Sequence, residues 1–277
     1  MNEYEYNMIN LYVPKLAKII NIKQESPDSK LFTLQYQDKS EFEFTHGQFV
    51  QIGLFGWGEA PFSLCGPTTE EKTFQIVVRE VGDLTKRIQK LTKGQTITVR
   101  GPFGNGFPMD KFVNKNVILI GGGCGFVAMR SFVLDHNLGK FNPKNKLQIF
   151  YGCLNEESVL FSDELKAWKK KIDYRIALMK PSPKWRGIKG VVTKIFEKVK
   201  VVNNAVAVIV GPPIMYKFVI EELTKKGFAD TDIYLSLERR MYCGLGVCQH
   251  CAIGSYYVCK DGPVFSYSQL KETRGAI

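Results

Sequence analysis

Four cysteines near the C-terminus have the spacing of a metal site: Cys243-Gly-Leu-Gly-Val-Cys248-Gln-His-Cys251, then Cys259 after seven more residues. A set that opens C-x4-C-x2-C suits a 2Fe–2S cluster held by four thiolates. Gly244 and Gly246 let the loop turn tightly and aim backbone N–H groups at the sulfurs. Structural zinc is the rival, and it usually takes two separated C-x2-C pairs. Only one such pair exists here, because Cys243 and Cys248 are five apart. A disulfide framework does not suit a 277-residue chain with no visible secretion signal. The spacing predicts an electron-carrying site with Cys243, Cys248, Cys251 and Cys259 as ligands.

Two glycine turns are the next candidates. Gly121-Gly-Gly-Cys-Gly125 falls between the apolar run Val117–Ile120 and a helical pattern from Val127 to about His136. A dinucleotide pyrophosphate rests at such a place, where glycines admit the backbone and the helix N-terminus supplies N–H donors. A plain tight connection is the alternative. Gly211-Pro-Pro-Ile-Met215 makes a second strand-to-helix turn, and the two could frame one cleft at the C-terminal ends of strands. Earlier, Ala60-Pro-Phe-Ser63 leaves a strand and Gly82-Asp-Leu-Thr85 opens a helix. Spacing alone favours a simple N-cap by Asp83 over a phosphate site, and an ordinary core place for Phe62. Cys65, Cys124 and Cys153 read as small buried residues, Cys124 being the one open to oxidation. His250 reads as loop filler.

The elements that must position these groups fall into two rhythms. Residues 11–110 show short strands broken by turn signals, at Lys15–Ile22, Leu31–Gln37, Gln48–Phe55, Thr73–Arg79 and Gln95–Arg100, with one helix at Leu84–Leu91. That pattern predicts an antiparallel barrel or sandwich. Over residues 111–237 strands alternate with helices: after the first pair come Leu147–Tyr151, Ser162–Lys171, Tyr174–Leu178, Val192–Lys198, Ala205–Val210, Ile214–Lys226 and Ile233–Ser236. This predicts a parallel, doubly wound Rossmann-like sheet. Residues 238–277 carry the cysteine loop, and residues 1–10 read as a flexible lead-in. The fold expected is therefore β plus α/β, in three parts.

Composition sets the outer bounds. The chain is 44% hydrophobic and 12% aromatic, as in globular proteins. No apolar run approaches a membrane span, and no targeting signal is visible at the N-terminus, so a reducing cytoplasm is expected. Net charge is 38 − 27 = +11. The basic residues are scattered without a recognition motif. This argues for solvated faces or an acidic protein partner, not nucleic acid.

Barrel, glycine-turn domain and terminal cysteine loop, in that order, resemble the ferredoxin-reductase-type flavoprotein subunits. Within that family the chain resembles the gamma (diaphorase) subunits of cytosolic NiFe hydrogenases of the sulfhydrogenase type. It is also similar to the corresponding subunit of anaerobic sulfite reductase and to the electron-transfer subunit of dihydroorotate dehydrogenase. The motifs that carry the likeness are Gly58-Glu-Ala-Pro-Phe-Ser63, Gly101-Pro-Phe-Gly-Asn-Gly-Phe107, Gly211-Pro-Pro-Ile-Met215, Leu237-Glu-Arg-Arg-Met241 and Lys260-Asp-Gly-Pro-Val-Phe265.

The resemblance implies an FAD site at Ala60, Pro61, Phe62, Ser63, Val77, Val78, Arg79, Leu84 and Thr85, with Phe62 beside the ring and Arg79 and Thr85 at the diphosphate. It implies nicotinamide-cofactor phosphates at Gly122, Gly123 and Gly125. Gly211, Pro212 and Met215 would border the nicotinamide, with Glu238 near the flavin contact. Four positions depart from the common pattern: Ala60 where many relatives have Arg, Ala128 for Pro, Val210 for Cys, and Cys153-Leu-Asn155 where some place an arginine. The last leans towards NAD over NADP, since a 2′-phosphate wants a cation. The implied activity is electron transfer between NAD(P)H, FAD and a 2Fe–2S cluster, to or from catalytic and iron–sulfur subunits. Hydride transfer asks for no catalytic acid or base. A NiFe hydrogenase is the expected partner, with sulfite reductase or dihydroorotate dehydrogenase as alternatives. A zinc-stabilised, non-catalytic adaptor is the reading from another class.

Overall fold

The computed structural model describes residues 11–68 and 72–277, so the lead-in expected at residues 1–10 lies outside it. Among the described residues the first part has six strands: β1 (Lys15–Ser26), β2 (Ser29–Tyr36), β3 (Phe49–Leu54), β4 (Gly58–Ser63), β5 (Phe74–Arg79) and β6 (Thr96–Phe103). They form an antiparallel sheet in the order β4-β3-β6-β1-β2-β5. A bridge between Leu64 and Ile76 brings the end of β4 to β5 and closes the sheet into a barrel. Alternate residues fill its inside, with Ile19, Leu34, Ile52, Ile76 and Val78 buried together. The stretch around Ala60 lies within β4 rather than leaving a strand. Pro61 is tolerated there because β4 pairs along its length with β3 alone.

The second part begins with β7 (Asn116–Gly122), β8 (Leu147–Cys153), β9 (Asp173–Leu178), β10 (Ile188–Lys189), β11 (Ala205–Val210) and β12 (Ile233–Ser236). After β12 comes the last part of the chain. It holds the cysteine loop, the small hairpin β13 (Ala252–Ile253) and β14 (Tyr256–Tyr257), a one-turn helix Val258–Asp261, and β15 (Val264–Ser266). The large sheet has seven strands in the order β10-β9-β8-β7-β11-β12-β15, so the last part extends it through β15. The chain winds outward from β7 to β10, then crosses back to lay β11 against the other side of β7. All pairings are parallel except that of β15 with β12.

The predicted helix Val192–Lys198 is a single tight turn, Val192–Ile195. β-branched residues crowd its start and lower helix propensity there. In the last part the apolar residues Met241, Ile253 and Val258 share a core with barrel residues Phe49 and Phe103. Among the described residues no helix is long and apolar enough to cross a membrane.

Candidate functional site: a cysteine loop and two clefts sharing one glycine turn

The cysteine loop is shaped as an anion cradle. Backbone N–H groups of Leu245, Val247 and Cys248 point at Cys243 Sγ from 3.3, 3.4 and 3.4 Å, and Gly246 N lies 3.1 Å from Cys259 Sγ. Such donors stabilise thiolates and the sulfurs of a cluster. Gly244 and Gly246 sit at φ 75° and 76°, which L side chains avoid. A Cβ on Gly244 would also stand 2.9 Å from the Phe103 ring. Cys251 and Cys259 are buried with their sulfurs 3.3 Å apart, while Cys243 and Cys248 are half-buried. The backbone N–H of His250 leads in holding the Cys248 thiol down to about 7, whereas burial pushes Cys259 up to about 12. His250 is exposed, with its ring edge-on to Tyr242 at 4.4 Å.

One cleft, of about 410 Å³, lies where the three parts meet. The barrel contributes Ala60, Pro61, Phe62, Ser63, Val77, Arg79 and Thr85; the glycine turn contributes Cys124 and Gly125; Glu238, Met241 and Pro263 come from the cysteine-loop segment. Two residues of the expected set stand apart from this lining. Strand alternation turns Val78 into the barrel core while Val77 and Arg79 face the cleft, and Leu84 packs against the same core. Arg79 Nε is 2.7 Å from Asp28 Oδ2, so its charge is already shared.

Thr85 Oγ1 accepts from Val81 N and Gly82 N at 3.0 and 2.9 Å and donates to Gly82 O at 2.9 Å. The helix Asp83–Gln89 is thus capped by Gly82 and Thr85, not by Asp83, which is its first residue. Phe62 is half-buried at the cleft wall, rather than inside the core. Cys124 is not interior filler either. It lines the cleft, and burial pushes its thiol up against the pull of Arg79. Surrounding protein likewise raises the Glu238 carboxyl, although its side chain opens to solvent at the rim.

A second cleft, of about 580 Å³, lies across the glycine turn. Gly122, Gly123, Pro212 and Met215 line it, with Gly152, Leu154, Met179, Ile214 and Phe218. Parallel pairing sets Val210 against Gly121, so the two glycine turns are immediate neighbours where the strand order reverses. Gly211 packs between them: a Cβ there would meet Met215 Cε at 2.6 Å and Gly122 N at 3.1 Å. Gly125, expected beside Gly122 and Gly123, faces the first cleft instead. The turn bends there so closely over Val210 that a Cβ would stand 2.9 Å from Gly211 N.

Several supporting residues carried no motif. Tyr151, fully buried and stacked on Phe126 at 4.6 Å, donates its hydroxyl to Gly123 O at 3.1 Å and so holds the turn. Arg130, on the helix Phe126–Asn137, grips Glu164 with two nitrogens at 2.6 and 2.7 Å and reaches into the barrel. Nearby, His46 of the barrel meets Ser131 Oγ at 3.1 Å and Asp135 Oδ2 at 3.5 Å. Asn105 ties the barrel to the last part, donating to Asp261 O and Val264 O at 2.9 and 2.8 Å. These contacts fix the two clefts and the loop relative to one another.

Comparison with known proteins matches each part in turn. Residues 16–107 match an oxidoreductase FAD-binding domain, 119–221 an oxidoreductase NAD-binding domain, and 238–271 the iron–sulfur cluster binding domain of dihydroorotate dehydrogenase B. Sulfhydrogenase 2 subunit gamma of Pyrococcus furiosus is 41% identical, over 97% of this chain and 100% of its own. The chain belongs to this family of electron-transfer flavoprotein subunits. A probable electron transfer subunit of dihydroorotate dehydrogenase B (NAD(+)) from Pyrococcus abyssi is 34% identical, over 84% of this chain and 83% of its own. A chain of the NADH-dependent reduced ferredoxin-NADP oxidoreductase superimposes with TM-score 0.75 at 27% identity, covering 92% of this chain and 88% of that one. The protein is an oxidoreductase of ferredoxin-reductase-like fold that uses FAD, a nicotinamide cofactor and an iron–sulfur cluster. The iron–sulfur match covers the cysteine loop that zinc was the rival to fill.

Proposed function

We propose that this chain is the NAD(P)H-linked electron-transfer subunit of a cytoplasmic, hetero-oligomeric redox complex whose catalytic partner is a NiFe hydrogenase. When bound, FAD exchanges a hydride with the nicotinamide and single electrons with a 2Fe–2S cluster. The observation that carries the reading is the shared glycine turn. Gly122 and Gly123 face one cleft, Cys124 and Gly125 the other, and Met241 and Pro263 lead from the latter to the cysteine loop.

In this reading the flavin lies in the cleft of Ala60–Ser63, Val77 and Arg79, with Phe62 at the ring and Arg79 and Thr85 on the diphosphate side. The nicotinamide cofactor occupies the cleft of Gly122, Gly123, Pro212 and Met215. Among the described residues no Lys or Arg lines that cleft, which supports NAD over NADP. Cys243, Cys248, Cys251 and Cys259 hold the cluster. Cys248 neighbours the exposed Tyr242 and Val247, a face suited to passing electrons onward.

Likeness to the sulfhydrogenase gamma subunit over nearly the full length of both chains supports the hydrogenase partner. A second reading, with dihydroorotate dehydrogenase as partner, is favoured by the family match at residues 238–271. Anaerobic NADH titration tests the cofactor chain: flavin bleaching and a reduced-cluster signal are expected, and the absence of both would count against it. Anaerobic co-purification tests the partner. Hydrogenase subunits support the first reading; dihydroorotate dehydrogenase or a siroheme sulfite reductase overturns it while leaving the cofactors in place.

A further inference from the structure

The barrel supplies the bed of the cysteine loop through one buried cation. Arg100, near the end of β6, is 6% exposed. Its Nη1 donates to Cys243 O at 2.8 Å and to Leu11 O at 3.3 Å, and its Nη2 donates to Tyr242 O at 3.2 Å. The other side of the guanidinium forks onto the Glu59 carboxylate, with Nε at 3.0 Å from Oε2 and Nη2 on Oε1. Phe103, further along the same strand, has its ring 5.6 Å from the guanidinium and packs against Gly244.

We propose that Arg100 is a positioning residue for the iron–sulfur cluster, seating Cys243 through its carbonyl and raising the cluster's reduction potential. The inference rests on Cys243 being a ligand. An arginine side chain is a fixed cation whose planar fork holds two partners at once. Here one edge of the fork is committed to Glu59 and the other to the backbone of a ligand residue. Reduction adds negative charge to the cluster. A cation held in a water-poor site next to a ligand's backbone favours the reduced form, and the Glu59 carboxylate opposes it. The geometry therefore couples the flavin barrel to the cluster by charge as well as by packing.

The test is potentiometric titration of the cluster in the purified full chain, followed by EPR, with iron and flavin contents measured alongside. Arg100→Gln is expected to lower the potential and Glu59→Gln to raise it. Each shift should correspond to roughly a tenfold change in the reduction equilibrium, about 59 mV for a one-electron couple. Arg100→Lys keeps the charge and should stay near the wild-type potential, with a broadened EPR signal from looser seating. If Arg100→Gln does not fold, Glu59→Gln decides by itself. Wild-type potentials in both neutralising variants, or shifts of the same sign, overturn the proposal. A wild-type chain that holds iron without a 2Fe–2S signal would instead sink the ligand reading on which it rests.

Discussion

Arg130 Nη1 lies 2.7 Å from the carbonyl oxygen of Cys65, and this bond joins the nucleotide-type domain to the barrel. The same nitrogen donates to Gln75 Oε1 at 2.7 Å, while the rest of the fork holds Glu164. The guanidinium also sits 4.6 Å from the centre of the Phe161 ring. Arg130→Met keeps an unbranched apolar stem but removes the guanidinium, leaving Glu164 and two barrel acceptors without their donor. Losing one partner of a buried pair costs about 3 kcal/mol. Urea unfolding should show that loss, and flavin affinity should fall with it because the cleft spans the same junction.

His46 predicts a pH dependence. Burial is the main reason its imidazole is lowered to about 4; Asp135 pulls the other way, and Lys140 reinforces the burial. Thr68 and Ser131 complete its surroundings through Asp135 and the ring itself. The folded value lies below the ordinary value of about 6.5. Between those values the unfolded chain binds a proton that the folded chain does not, so stability falls as pH drops from about 6.5 to about 4. His46→Gln should flatten the stability curve over that window, as measured by denaturant midpoints at a series of pH values.

Leu154 lines the nucleotide-side cleft and is exposed there. Leu154→Arg would offer a cation to a 2′-phosphate. A charge-assisted hydrogen bond contributes about 1.5 kcal/mol, roughly tenfold in binding. The ratio of kcat/KM for NADPH to that for NADH should rise by about that factor in a dye-reduction assay. No change in the ratio would remove Leu154 from the adenosine side of the cleft.

Cys259→Ala removes one thiolate from the cradle and leaves the first cleft untouched. Iron content and the reduced-cluster EPR signal should be lost, while NADH still bleaches the flavin. Retention of a normal cluster would move the fourth ligand elsewhere.

The spacing of the four cysteines, the two glycine turns after buried strands, and the change from strand rhythm to strand–helix alternation were all legible in the sequence. They are local signals, set by neighbours along the chain. Ala205–Val210 and Ile233–Ser236 were placed to the residue for that reason. What the tertiary structure decided is long-range. The sequence suggested that the two glycine turns frame one cleft, but not that β11, returning beside β7, makes the first turn the wall of two clefts. Nor does it tell that Gly125 faces away from Gly122, or that Val78 turns inward between Val77 and Arg79. The helix Phe126–Asn137 is buried on nearly all sides, between its own sheet and the barrel, so its periodicity carried no hint of Arg130 or Asp135 as junction residues. Arg100 and Cys243 lie 143 positions apart, and only the closed barrel and the docked last segment bring them into contact.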